Sequence, residues 1–226
     1  VLLNSYLKVE NEYVLVTGTT GSTAAGDVIV VTRAQAGTAA DTYDNHAAYF
    51  QIPRSDANPI GIVNGTSTVV FKQVAHGAST GDRFTFISIS SDFTSNGITR
   101  ANLLSGYATA TSIQGFEITR VMSPDFFEFE VPGSTGTNDN TTLASSIGTS
   151  DTTITLTSGS SFLAGEVVKI DSEYIELGSK STHVFSSCKR GQLGSLAAGH
   201  ASLAPVSQTS FFGTNVYALY DIPAEA

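Results

Sequence analysis

The stretch KIDSEYI at residues 169–175 decides the fold, because it occurs a second time as KVENEYV at residues 8–14. In each copy an alternating segment, a two-residue polar turn and a second alternating segment follow one another, as in a β-hairpin. A second match lies downstream, where RAQAGT at residues 33–38 corresponds to RGQLGS at residues 190–195. Because order, spacing and residue type agree, the chain contains an internal repeat.

The repeat singles out polar and aromatic residues at equivalent positions, and each copy then runs through an Ala-rich segment to a His-Ala pair. A structural role is our interpretation: each arginine holds its turn by hydrogen bonding to carbonyls or to the glutamate, and acid–base or ligand chemistry is the alternative. We predict no catalytic, cofactor-binding or metal-binding residues. The motif residues are Glu12, Tyr13, Arg33, Gln35 and His46 in copy one, and Glu173, Tyr174, Arg190, Gln192 and His200 in copy two.

The composition favours an all-β protein and excludes several classes of function. The 226 residues include 11 Lys and Arg against 20 Asp and Glu, for a net charge of −9, which is unsuited to binding duplex nucleic acid. Ser and Thr make up a quarter of the chain, while Val, Ile, Phe and Tyr are abundant enough for cores. No apolar run is long enough for a membrane helix. We expect helix in less than about a tenth of residues.

We predict tandem small β-barrel or β-sandwich modules joined by short linkers, with very little helix. The division is 1–53 for the first copy, 54–136 for a middle β-domain, 137–208 for the second copy and 209–226 for a C-terminal strand or tail. Residues 99–104 fit either a loop or one helical turn. The alternating runs predict strands at 68–72, 83–89, 116–121, 126–131, 152–157, 166–170, 173–177, 184–189 and 211–220.

The first copy is expected to lack its opening strand. About 19 fewer residues precede the lysine of the first copy than precede the equivalent lysine within the second. A small β-module without that strand exposes an unpaired edge. We expect either a gene product that continues upstream of Val1, or completion by a strand from another chain or from this chain's own residues 216–220. We also expect residues 1–53 to lie in an oligomer interface.

The remaining reactive side chains give no signature of a reactive site. The four histidines, at positions 46, 76, 183 and 200, do not occur at metal-binding spacings. Cys188 has no partner cysteine in the chain, so a buried thiol is expected. No Gly-x-Ser-x-Gly elbow of a hydrolase is present.

The second copy resembles a β-module of structural proteins from tailed bacteriophages. The resemblance consists of a Thr-rich strand at 153–156, the acidic-x-Glu-Tyr hairpin at 171–174, the Arg-Gly-Gln-x-Gly-Ser motif at 190–195 and the His-Ala pair at 200–201. The middle unit is similar to another phage element, with HG at 76–77, TGDR at 80–83 and a Phe-rich hairpin at 126–131. The first copy departs from the pattern, because Ala34 stands where glycine is usual.

The resemblance implies a non-enzymatic virion protein of the tail, baseplate or neck, assembled in the host cytoplasm. Its partners would be copies of itself and other virion proteins, with no cofactor, no nucleic acid and no membrane. A host-surface or glycan-binding adhesin is the alternative in function, and a capsid decoration protein is a further one.

Overall fold

The computed structural model describes residues 6–9, 12–23, 26–35, 39–40, 42, 49–52, 55, 58–90, 97–105, 115–136, 140–213 and 216–220. These residues are mostly strands, with a single five-residue helix among them. The all-β class predicted from composition is therefore confirmed. No helix within these ranges is long and apolar enough to cross a membrane.

The strands are numbered in chain order. They are β1 (Tyr6–Val9), β2 (Glu12–Thr23), β3 (Gly26–Gln35), β4 (Tyr49–Ile52), β5 (Ile60–Val63), β6 (Thr68–Lys72), β7 (Arg83–Ser88), β8 (Phe116–Ser123), β9 (Phe126–Glu130), β10 (Asn140–Thr142), β11 (Ile154–Thr155), β12 (Val167–Ile170), β13 (Glu173–Glu176), β14 (Ser179–Ser181), β15 (Val184–Ser186), β16 (Lys189–Gln192), β17 (Pro205–Phe212) and β18 (Tyr217–Tyr220).

One large sheet runs through the middle unit and the second copy. Its order is β16-β13-β12-β17-β5-β6-β9-β8-β7-β18, and β10 lies beside β17. The strand β17 connects the two units, because its first half pairs with β12 and its second half pairs with β5. The register places Val206 opposite Ile170 and Ser210 opposite Ile62. Backbone hydrogen bonds therefore cross from one unit to the other without interruption.

Phenylalanines form the core of the middle unit. Phe84 lies at its centre, with ring centroids 4.8 Å from Phe129 and 4.9 Å from Phe127 in edge-to-face contact. These rings come from the inward positions of β7 and β9, as the alternation of the sequence predicts. Helix α1 (Arg100–Leu104) adds buried Leu103 to this core. Thr99 caps the helix by accepting a hydrogen bond from Asn102 N at 3.2 Å, so the helical-turn alternative for residues 99–104 is the one observed.

The second copy packs a small sheet against the large one. The order of the small sheet is β11-β15-β14. Ile154 and Phe185 of this small sheet share a buried cluster with Val168, Ile175 and Val206 of the large sheet. Two layers therefore enclose one apolar core, which is the arrangement that lets a module of this size bury its aliphatic residues.

The first copy repeats the strand order and register of the second. Its sheet has the order β3-β2-β1-β4, which corresponds to β16-β13-β12-β17. Tyr13 lies between Lys8 and Gln35, just as Tyr174 lies between the equivalent lysine and glutamine. Leu7, Val14 and Val16 form the small buried cluster of this sheet. The likeness seen in the sequence is thus a likeness of strand pairing.

The structure leaves one of the finer predictions open and corrects three others. No closed barrel is seen among the described strands, so tandem barrel or sandwich modules stay a prediction. The strand predicted at 184–189 is two strands, because the backbone turns at Ser187, where φ is +58°. The run at 211–220 is likewise divided by Gly213, where φ is +101°, and its first residues complete β17. The run at 152–157 forms only the two-residue strand β11.

The proposed completion of the first copy by the C-terminal strand is also wrong. Strand β18 pairs with β7 of the middle unit, with Leu219 opposite Thr85. It extends the large sheet instead of joining β1, β2 or β3. The C-terminal strand is taken by the middle unit because its apolar residues Val216 and Ala218 belong to the phenylalanine core.

The equivalent positions Ala34 and Gly191 give a test of backbone strain. Both have positive φ, at +54° and +63°. An L-residue there costs about 1–2 kcal/mol, whereas glycine costs only its backbone entropy of about 0.5–1 kcal/mol. We expect Ala34→Gly to stabilise the protein by roughly 0.5–1 kcal/mol in urea unfolding. Gly191→Ala should destabilise it, since its Cβ would lie 2.9 Å from Ser195 O.

The matched control is Ala164→Gly, at an exposed turn residue whose φ is not positive. This change should leave stability unchanged or lower it. A loss of stability in Ala34→Gly equal to that of the control would contradict the strain assigned to Ala34.

Candidate functional site

A buried carboxylate lies at the centre of the second copy. Glu173 opens β13 directly after the two-residue turn from β12, and its side chain is fully buried. Arg190 binds it in two places, from Nε to Oε1 at 2.8 Å and from Nη2 to Oε2 at 2.7 Å. The backbone amides of Gly191 and Ala198 donate to it at 2.9 Å each, and His200 Nε2 lies 2.9 Å from Oε2. Both carboxylate oxygens are therefore saturated with donors.

Arg190 also connects this carboxylate to two further segments. Its Nη1 donates to Gly148 O at 2.7 Å and to Asp151 O at 2.8 Å, in the arm that precedes β11. Its Nη2 donates to Ala198 O at 2.5 Å, in the loop that precedes β17. The side chain is 8% exposed. One planar guanidinium thus fastens the hairpin, the arm and the loop together.

His200 lies between Glu173 and Asp171, which belongs to the turn between β12 and β13. Its Nδ1 lies 2.8 Å from Asp171 Oδ2, while its Nε2 faces Glu173. A neutral imidazole carries one N–H, so both contacts are hydrogen bonds only when the ring is protonated. The equivalent His46 lies outside the described residues.

The surroundings of Glu173 lower its pKa. Burial by itself raises the pKa, but hydrogen bonds from Arg190, Ala198, His200 and Gly191 outweigh it and bring the pKa from 4.5 to about 2. The carboxylate is therefore ionised at every pH at which a protein normally works. A group so saturated and so buried is suited to holding a structure together and not to exchanging protons with a substrate.

The first copy contains the same clamp in a more open form. Arg33 Nε donates to Glu12 Oε1 at 2.7 Å, Arg33 Nη2 donates to Oε2, and Ala34 N donates to Oε1 at 2.7 Å. Glu12 is fully buried, but the Arg33 side chain is 43% exposed. No counterpart of the arm that covers Arg190 occurs in the described part of copy one. The same pair therefore meets much more solvent.

The glutamine of each motif folds back on the arginine. Gln35 Nε2 donates to Arg33 O at 2.9 Å, and Gln192 Nε2 donates to Arg190 O at 3.1 Å. Each glutamine thereby closes the turn in which the residue after the arginine has positive φ. The two short motifs share their conformation as well as their residue types.

The tyrosine of each motif faces the middle unit. Tyr174 is fully buried, and its hydroxyl donates to Glu128 Oε1 at 2.5 Å. Burial, together with the charge of Glu128, raises the pKa of Tyr174 well above its usual value. Tyr13 is half-buried and packs against Tyr217, and burial raises the pKa of Tyr13 too. The two copies therefore use the same residue to contact different parts of the middle unit.

The buried cluster around Glu128 was not predicted. Lys169 Nζ donates to Glu128 Oε1 at 2.8 Å, and Arg120 Nη1 lies 3.8 Å from Oε2. Arg120 also donates to Ser172 O of the second copy at 2.7 Å. Alternation in the FFEFEV run at residues 126–131 puts Glu128 on the polar face of the strand, and the packing of the second copy against that face buries it. Lys169 belongs to the repeated KIDSEYI stretch, but nothing in its spacing indicates this contact.

The other reactive side chains have local partners. His76 accepts from Ala78 N at Nδ1 at 3.0 Å, and its ring packs edge-on against Phe127 at 5.0 Å. The Cys188 thiol is buried, and burial raises its pKa. Within the described ranges, no group of three or more His, Cys, Asp or Glu side chains is arranged to hold a metal ion.

Comparison with known proteins adds no family to this geometry. The chain matches no protein-family model, no curated protein and no solved structure.

The two arginines should contribute unequally to stability. Arg190→Ala leaves Glu173 charged and buried, which costs about 3–5 kcal/mol. Arg33→Ala leaves Glu12 in a place that water can reach, because Arg33 is already 43% exposed, so a loss of about 1–2 kcal/mol is expected. Urea unfolding measures both changes, with Arg190→Lys as the control that keeps the charge but not the two-point geometry. Equal losses at the two positions would contradict the role given to the arm.

Acid should remove the contribution of Glu173. Its pKa is depressed in the folded state, so the stabilisation is complete above pH about 4.5 and is lost as the pH falls towards about 2. The depression corresponds to roughly 3 kcal/mol. The difference in unfolding free energy between wild type and Glu173→Gln should shrink by about that amount when the pH is lowered from 5 to 2. The control Glu176→Gln removes an exposed ion pair with Lys189 and should keep the wild-type pH dependence.

Proposed function

We propose that the chain is a non-enzymatic structural protein of a tailed-bacteriophage virion, most simply a tail, baseplate or neck component built from tandem small β-modules. The observation that carries the proposal is the duplicated clamp. In both copies the glutamate is fully buried, and the donors described for it come from within the same copy. The most distinctive polar residues of the chain are thus engaged in fixing turns, which supports a scaffold in preference to an enzyme.

The connection between the units supports a rigid building block. Strand β17 carries backbone pairing from the second copy into the middle unit. The hydrogen bond from Tyr174 to Glu128 and the contact with Lys169 fix the same junction through side chains. A part that repeats around a ring or tube needs such fixed geometry, because small errors between units add up around the assembly.

The glycan-binding alternative has a weaker basis. A surface cleft of about 520 Å³ is lined by Arg83, Glu117, Thr119 and Glu130, which could bond to sugar hydroxyls. Its aromatic residue, Phe116, is buried, so the described lining offers no exposed ring on which a sugar could stack.

The test uses a phage that encodes the chain. Deleting its gene should give particles that fail to complete a tail or neck, and supplying the intact chain from a plasmid should restore infectivity. Quantitative mass spectrometry of purified virions should find the chain in a few to tens of copies. Purified protein should not bind host cells.

Each alternative gives a different result in the same measurements. Hundreds of copies per particle would indicate a decoration protein. Binding of the isolated protein to host cells, with intact particles formed in the deletion, would indicate an adhesin. Absence of the chain from purified virions would reject the proposal as a whole.

A further inference from the structure

The outer edge of β3 has no partner among the described strands. This strand ends the sheet of the first copy and pairs only with β2. Counted back from the arginine of each motif, strand β15 of the second copy corresponds to residues 27–29 in the first half of β3, and β11 covers β15, with Ile154 opposite Phe185. The repeat thus shows within one chain that this edge accepts an antiparallel strand.

The sequence of β3 leaves that edge open to pairing. Residues 26–33 are GDVIVVTR, with one charge near each end and neither lysine nor proline between them. Exposed edge strands normally carry lysine or proline, because these residues prevent pairing with a strand of another molecule. Val31 packs into the cluster of the first copy, whereas Val30 on the opposite face is 47% exposed.

The backbone orientation fixes how a partner strand would pair. The carbonyl oxygen of Val30 faces β2, where Thr17 Oγ1 donates to it at 3.3 Å. In an antiparallel strand the N–H and C=O of one residue point to the same side, and neighbouring residues point to opposite sides. Ile29 and Val31 therefore direct their backbone groups towards the outer edge.

We propose that a second copy of this chain docks at this edge, β3 against β3, in the antiparallel register that sets Val30 opposite Val30. In that register position 27 of each copy stands opposite position 33 of the other, so the acidic and the basic residue of the strand never meet their own kind across the two-fold axis, and Arg33 keeps its pair with Glu12. The two exposed valines become a close cross-strand pair and are removed from water. Ile29 of each copy exchanges backbone hydrogen bonds with Val31 of the other. The inference stands whether or not the chain is a virion protein.

The first experiment measures association of the full chain by sedimentation across a range of concentrations. We expect a dimer for the wild type and at least about a tenfold higher dissociation constant for Val30→Lys, which places two ammonium groups opposite each other. The matched control is Val74→Lys, at a valine that is 61% exposed outside β3. It should dimerise as the wild type does. A monomeric wild type, or equal dissociation constants for the two variants, overturns the proposal.

A second experiment keeps the proposal testable if Val30→Lys does not fold, as judged by circular dichroism. Val30 would form a non-hydrogen-bonded pair, in which opposite residues are close enough for a disulfide. Val30→Cys should therefore form a covalent dimer under air oxidation, and Val74→Cys should not. The single native cysteine, Cys188, is buried and does not interfere. Cross-linking of both variants at equal rates, or of neither, overturns the docking mode.

Discussion

The buried ion pair between Glu173 and Arg190 is the interaction on which the second copy depends. A carboxylate out of contact with water is costly unless every oxygen is bonded, and here two guanidinium bonds, two amides and a histidine do so. Because the donors come from the hairpin and from the loop before β17, the cost of burying the charge is offset only when both are in place. The pair thereby makes the folding of separate segments interdependent.

Charge also fixes the second copy against the middle unit. Glu128 lies on the face of β9 that points away from the phenylalanine core and is covered by Tyr174. Lys169 supplies the compensating charge at 2.8 Å. An apolar junction would allow many similar packings. The buried carboxylate of Glu128, in contrast, is hydrogen-bonded only in the arrangement that brings Tyr174 and Lys169 to it. The continuous strand β17 then adds backbone pairing to the same junction.

The local structure was predictable from sequence and the long-range structure was not. Alternation located β6, β9, β12 and β13 to within a residue or two, because each strand has one buried and one polar face. The break at Ser187 was missed because a positive φ at serine has no sequence signal comparable to glycine. The large sheet depends on β17 pairing with β5, about 150 positions earlier in the chain. The Glu128 cluster was missed for the same reason, since its burial comes from a strand of another unit.

Comparison of the two copies separates what the motif does from what its surroundings do. Glu12 and Arg33 make the same two-point contact as their counterparts, and the residues that follow both arginines have positive φ. Turn geometry is therefore encoded within the motif itself. Burial is not, because Arg33 is 43% exposed and Arg190 is 8% exposed. The difference lies in the carbonyls of Gly148 and Asp151, which belong to the arm of the second copy. The repeated motif therefore forms the same turn in both copies. In the second copy its arginine is buried by the arm, whereas the first copy is more exposed and ends at the edge strand β3.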